Sequence, residues 1–231
     1  MTQPVSSLAA AAHEGGSIGA MIISAIGRFP GRVAFIDGDT RLTYAELGVR
    51  IGQAMAALRA LGLQRGDGVM QLSGNRAEVF IVMAAAYLLG LRSVTLHAMG
   101  GFDDHAYIVE DAEPSVFISE AAHHERAQAL RAHCPAVRHW FAHGACDGLD
   151  DFWALAGRMQ PQALVSHAAS TDIIRLAYTG GTTGKPKGVM LANRSVWMQA
   201  VLLMAARGLR PGTRVLCPTP ISHGAGAMIV P

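Results

Sequence analysis

The chain has 231 residues, 51% of them apolar and 16% charged, with a formal net charge of +2. That balance suits a folded chain with a sizeable core and excludes disordered, coiled-coil and fibrous proteins. No stretch accumulates Lys and Arg, so nothing favours nucleic acid, and the longest uncharged apolar run, residues 79–91, is too short to span a bilayer.

Residues 1–16, rich in Ala, Ser and Gly, are expected to form a flexible N-terminus. Ser17 is placed to cap a helix through Ile18, Met21, Ile22, Ala25 and Ile26, which Phe29-Pro30-Gly31 stops. Asp37-Gly38-Asp39 between residues 33–36 and 40–42 signals a hairpin. Thr43 and Glu46 make a capping box for a helix whose apolar stripe runs Tyr44, Leu47, Ile51, Met55, Leu58 and Leu61, ended by Gly62. A strand follows at 69–72. Asn75 with Glu78 is expected to cap the next helix, which the apolar run marks as buried.

Beyond it, strands at 93–96, 116–118 and 137–141 alternate with helices at 103–110, 121–132 and 150–157. Residues 144–148 and 160–170 read as loops. A short apolar strand at 173–177, a strand near 189–191, a helix at 193–206 and a strand at 214–217 complete the chain. This alternation predicts an α/β fold with a mainly parallel sheet covered by helices. Three cysteines in no disulfide pattern fit a reducing, cytoplasmic setting, and no signal peptide is apparent.

The chemistry is concentrated in Tyr178-Thr179-Gly180-Gly181-Thr182-Thr183-Gly184-Lys185-Pro186-Lys187-Gly188-Val189-Met190. Glycines let successive backbone N–H groups turn toward one anion, the threonines add hydroxyl donors, and the lysines add charge. That assembly favours a phosphate cradle over a plain hairpin turn. A P-loop is excluded by spacing, because Thr179 stands where its first glycine belongs and Pro186 where its hydroxyl residue belongs. A dinucleotide fingerprint is also missing, since Gly224-Ala225-Gly226 runs on to Ile229.

Residues 178–189 resemble the ATP loop of the adenylate-forming superfamily, with Gly180 where many members carry serine. Pro220-Ile221-Ser222-His223-Gly224-Ala225-Gly226 resembles acyl-CoA synthetases more closely than peptide-synthetase adenylation domains. Leu42-Thr43-Tyr44-Ala45-Glu46-Leu47 is similar to an early block of the same family, and the resemblance extends over roughly residues 18–231. Asn193 stands where many acyl-CoA synthetases have histidine. The resemblance implies the N-terminal part of the acyl-CoA synthetase-like fold, with residues 17–231 an incomplete AMP-binding domain whose C-terminal lid domain lies beyond the chain. It implies a ligase that joins a carboxylic, preferably fatty, acid to coenzyme A through an acyl-adenylate, using ATP and Mg2+. Thr179, Gly180, Gly181, Thr182, Thr183, Gly184 and Lys187 would hold the phosphates. In Pro218-Thr219-Pro220-Ile221-Ser222-His223-Gly224, His223 and Gly224 would lie by the acyl substrate. The catalytic lysine, an acidic metal-binding residue and the adenine contacts are expected after Pro231, so the chain alone is expected to be inactive. A homodimer is allowed, and a non-catalytic nucleotide-binding fragment or an adenylation domain for another acid is the alternative.

Competing constellations are weaker. His223-Gly224-Ala225-Gly226 also resembles a lipase oxyanion loop, but no Gly-x-Ser-x-Gly elbow occurs anywhere in the chain. His123, His124, His133, Cys134, His139, His143 and Cys146 match no zinc spacing and are expected on a solvated helix and loop. Asp103-Asp104 and Asp150-Asp151 precede expected helices and read as caps rather than catalytic pairs.

Overall fold

Short apolar runs bounded by turn residues form a seven-stranded sheet in the computed structural model, which describes residues 16–179 and 184–222. In chain order the elements are α1 (Ile18–Arg28), β1 (Val33–Asp37), β2 (Thr40–Thr43), α2 (Tyr44–Ala60), β3 (Gly68–Leu72), α3 (Ala77–Leu89), β4 (Arg92–Leu96) and α4 (Phe102–Ala112). There follow β5 (Pro114–Glu120), a 3-10 turn (Ala121–His123), α5 (His124–His133), β6 (His139–His143), β7 (Asp150–Asp151), α6 (Phe152–Ala156), β8 (Ile173–Thr179), β9 (Lys187–Ala192) and α7 (Asn193–Arg207). β1 and β2 make a separate antiparallel hairpin. The main sheet has the order β7-β6-β5-β3-β4-β8-β9. All its neighbours are parallel except β8 and β9. The carboxyl ends of β3, β4, β5, β6 and β8 therefore share one edge.

Two apolar layers enclose the sheet. Residues of α1, α2, α3 and α6 pack with Val69, Val116, Ile118, Phe141 and Ile174. Residues of α4 and α5 pack with Met70, Leu72, Val94, Leu96, Phe117 and Leu176 on the other face. Val69 and Met70 are consecutive and go to opposite layers, as the pleat requires. Every residue of α3 from Val79 to Leu89 is buried, so this helix is apolar all round and lies inside its layer.

Local signals act as expected at several ends. The Ser17 hydroxyl accepts from Ala20 N–H at 3.4 Å. Thr43 and Glu46 close their capping box, with Thr43 N–H donating to Glu46 Oε2 at 2.8 Å. Asp151 caps α6 by accepting from Trp153 N–H at 2.8 Å. Asp103 and Asp104 sit in the first turn of α4, where carboxylates oppose the positive end of the helix dipole.

Three expectations are corrected. Asn75 does not cap α3; Arg76 holds that position without a side-chain bond, and the Asn75 amide is occupied elsewhere. Residues 214–217 are not a strand. Pro218 and Pro220 remove alternate ladder donors just downstream, and the Asn75 side chain takes backbone groups of this stretch instead. Finally, Cys134 and His143 are buried, at 4% and 3% exposure, so the histidine-rich region is not wholly solvated. The flexible-terminus expectation for residues 1–15 lies outside the described residues.

Candidate active site

The glycine-rich stretch joins β8 to β9, both of which are strands. Thr179 closes β8, Lys187 opens β9, and the two are paired across the ladder. Strand–loop–strand is itself unlike the strand–loop–helix of a P-loop. Because β8 runs parallel to β4, the loop leaves from the carboxyl edge of the sheet, where α/β proteins place their ligands. Gly180, Gly181, Thr182 and Thr183, along with His223 and Gly224, lie outside the described residues.

The describable glycines of the motif divide into two kinds. A Cβ on Gly188 would come within 3.0 Å of Tyr178 Cζ, so this glycine makes room for the tyrosine ring across the ladder. Among the described residues, nothing lies within 4 Å of a Cβ built on Gly184. Packing among the described residues demands no glycine there. A glycine leaves the backbone open to close approach by a ligand.

The hairpin is tied to α4 on one face. Tyr178 donates its hydroxyl to Asp111 Oδ2 at 2.5 Å, and Lys185 Nζ stands 4.7 Å above the Tyr107 ring. Partial burial, then the Asp111 carboxylate, push the Tyr178 phenol well above its ordinary range. Alternation along the strand turns Thr179 and its partner Lys187 toward the opposite face, that of α3. Lys187 is exposed there. The two lysines thus part company: one rests on an aromatic ring, the other stands beside Thr179 on the ladder.

The same face and edge carry the segment that leads to His223. Asn75, just beyond β3, donates Nδ2 to Cys217 O at 3.1 Å and to Thr219 O at 3.0 Å, and its Oδ1 accepts from Ile221 N–H at 2.6 Å. Thr95 of β4 donates to Ser222 O at 3.0 Å. Ile221 is buried in the α3 layer. Among the described residues, the hydroxyls of Thr219 and Ser222 are buried without a hydrogen-bond partner. Sequence reasoning named neither Asn75 nor Thr95 in this role. Their partners lie more than a hundred residues away, and no local pattern marks them.

Farther along the edge, the connections leaving β3 and β5 diverge, and Glu120 fills the gap between them. Its Oε2 accepts from Gly74 N–H at 2.9 Å and Ser73 at 3.2 Å, while Arg76 Nη1 lies 3.4 Å from Oε1. Burial alone would raise this carboxyl, but those three donors hold it below its ordinary value. His143 is fully engaged nearby. Trp153 Nε1 donates to His143 Nδ1 at 3.1 Å, which leaves Nε2–H to donate to Gln71 Oε1 at 3.1 Å. Burial lowers its pKa to about 4. Among the described residues no group of three or more His, Cys, Asp or Glu could hold a metal ion, and no helix is long and apolar enough to cross a membrane.

Comparison with known proteins follows this geometry. The profile of a family described as AMP-binding enzyme matches residues 24–231. The medium/long-chain-fatty-acid–CoA ligase FadD8 of Mycobacterium tuberculosis is 36% identical over 221 residues, 92% of this chain and 39% of the relative. The 2-succinylbenzoate–CoA ligase of Bacillus licheniformis is 29% identical over 200 residues, 85% of this chain and 38% of the relative. Among solved structures, the N-terminal domain of FACL13 from Mycobacterium tuberculosis superposes with a TM-score of 0.84 at 26% identity, covering 93% of this chain and 54% of that one. The chain thus spans about 39% of the length of these curated relatives.

Proposed function

The chain belongs to the AMP-binding enzyme family, and from that membership we propose that it supplies the pyrophosphate-holding part of an acid–CoA ligase. In the proposed reaction a carboxylate oxygen attacks the α-phosphorus of ATP. The bond to the β-phosphate oxygen breaks, giving acyl-adenylate and pyrophosphate. The coenzyme A thiol then attacks the acyl carbon, its proton passes to solvent, and AMP leaves as the thioester forms.

Neither step needs a protein nucleophile. The chain's share is to position two anions and to stabilise charge as pyrophosphate departs. Backbone N–H groups of Gly180, Gly181 and Gly184, with the hydroxyls of Thr179, Thr182 and Thr183, would hold the β- and γ-phosphates. Lys187 would make the charged contact. His223 and Gly224 would border the acid. The observation that carries this reading is the glycine at 184: it follows the carboxyl end of β8 in a parallel sheet, where no described residue packs against it. The described residues gather no carboxylate set for magnesium, so the reading assigns the metal to none of them.

A fatty acid is the proposed substrate, on the strength of the FadD8 relative at 36% identity. The test is carboxylate-dependent exchange between ATP and labelled pyrophosphate over short, long and aromatic acids, with the full product of the gene. Exchange that peaks with medium or long chains supports the reading, and exchange with no acid overturns it. Residues 1–231 alone are proposed to bind MgATP weakly without turnover; acyl-adenylate formed by that chain would refute this part.

A further inference from the structure

We infer that Asn75 and Thr95 are positioning residues for the acid-binding side of the site, acting by clamping the backbone that leads into His223. This rests on the reading just given, which puts His223 beside the acid.

The clamp is built from four bonds. The Asn75 side chain reaches across 142 to 146 residues to bond Cys217 O, Thr219 O and Ile221 N–H. These are backbone groups at alternate positions, which an amide with a donor end and an acceptor end can serve at once. Thr95 then takes the Ser222 carbonyl. That carbonyl belongs to the peptide unit joining Ser222 to His223. Holding that oxygen constrains the carbonyl of Ser222, the last described residue before His223.

The stretch needs such a device. Pro218 and Pro220 have no N–H, residues 213–218 adopt no regular structure, and the backbone gains no ladder bonds. Buried Ile221 pins the segment to the α3 layer but sets no direction along the chain. Asn75 and Thr95 supply that direction from β3 and β4, the two central strands whose carboxyl ends define the edge. Among the described residues, the segment's own hydroxyls on Thr219 and Ser222 are buried without a hydrogen-bond partner, so the segment is held by its backbone and not by its side-chain hydroxyls. Phosphates belong to the other wall, the β8–β9 hairpin, so the clamp divides the labour: it governs the acid and leaves ATP to the hairpin.

The experiment compares Asn75→Ala, Asn75→Asp, Thr95→Val and Thr95→Ser in the full gene product, measuring kcat and KM for acid and for ATP by pyrophosphate exchange. Amide exchange of the 214–222 peptide is measured in the same samples. Asn75→Ala and Asn75→Asp are expected to raise the KM for acid about tenfold, in line with the loss of two or three backbone bonds. The KM for ATP is expected to stay within about twofold. Thr95→Val should move the same constant in the same direction, with Thr95→Ser restoring it. Exchange of the 214–222 peptide should quicken while the rest of the chain stays protected. Folded variants with unchanged KM for acid, or with both constants rising together, overturn the inference. If the unmutated protein exchanges pyrophosphate with no acid, the functional reading fails instead, and unchanged amide exchange at 214–222 in Asn75→Ala would then sink the clamp separately.

Discussion

Tyr178 and Asp111 join the base of the glycine-rich hairpin to helix α4 through a 2.5 Å hydrogen bond between phenol and carboxylate. The bond lies on the face opposite Thr179 and Lys187, so it steadies the ladder from behind without occupying their face. Replacing Tyr178 by Phe keeps the ring over Gly188 and removes only the donor. A charge-assisted bond of this kind at a half-exposed site is worth about 1 kcal/mol. The phenol's pKa is raised in the folded chain, first by partial burial and then by Asp111. A raised pKa stabilises below the unfolded value of about 10, and that stabilisation fades as pH climbs past it. Urea unfolding should therefore show the native protein ahead of Tyr178→Phe at pH 8, with the gap closing above about pH 10. A gap that widens with pH would contradict the assignment.

The two lysines of the loop should behave differently in adenylation. Both lysines are exposed, but Lys185 rests over Tyr107, whereas Lys187 stands beside Thr179 on the other face. A charged hydrogen bond to phosphate is worth about 1.5–3 kcal/mol, or one to two decades in rate or affinity. Lys187→Ala is expected to lower ATP–pyrophosphate exchange by that amount and Lys185→Ala by clearly less. Equal or reversed losses would remove Lys187 from its proposed contact.

These contrasts show where the sequence was readable. Thr43 with Glu46, and Asp151 with Trp153, work within three residues, so their spacing alone announces the cap. The glycine-rich loop could be proposed as a phosphate cradle for the same reason: its glycines, hydroxyls and lysines are contiguous, and spacing against the P-loop could be counted. Asn75 misled because Asn followed by Glu three residues later imitates a cap, while its real partners are 142 to 146 positions away. His143 was grouped with surface histidines because nothing nearby in sequence shows Gln71, 72 positions earlier, closing over it. Residues 214–217 looked like a strand by composition. What decides a strand is a partner ladder, and the prolines after it spoil one.

Glycine in helices offers a test of packing that involves no ligand. A Cβ on Gly52 of α2 would meet the Gln162 carbonyl oxygen at 2.5 Å, and Gln162 N–H donates to Gly52 O at 3.2 Å. The loop before β8 crosses α2 at Gly52, where the missing side chain lets backbone touch backbone. Gly27 of α1 has nothing within 4 Å. Gly52→Ala should cost about 1–3 kcal/mol through overpacking, while Gly27→Ala should gain about 0.5–1 kcal/mol from helix propensity. Thermal unfolding of the two variants should move in opposite directions; a neutral Gly52→Ala would mean that the crossing yields easily.

Acid should expose the buried histidine. His143 accepts from Trp153 through Nδ1 and donates to Gln71 through Nε2, so both ring nitrogens are spent with the imidazole neutral. Adding a proton would place a charge in a buried site and break the bond from Trp153. Burial accordingly lowers the pKa from 6.5 to about 4. Between those values the unfolded chain binds a proton that the native chain refuses, so stability rises with pH across the window and falls on acidification. The shift corresponds to about 3 kcal/mol, fully present above pH 6.5 and lost as pH drops toward 4. Glu46, Glu78 and Glu120 are all held below their ordinary range, so their own loss comes at lower pH. His143→Gln keeps an acceptor and a donor without a titrating ring. The native protein should lose urea resistance steadily from pH 6.5 to 4.5, while His143→Gln should fall less steeply, keeping the contribution of buried His105, which burial also holds below its ordinary value. Parallel slopes for the two proteins would show that the acid sensitivity arises elsewhere than at His143.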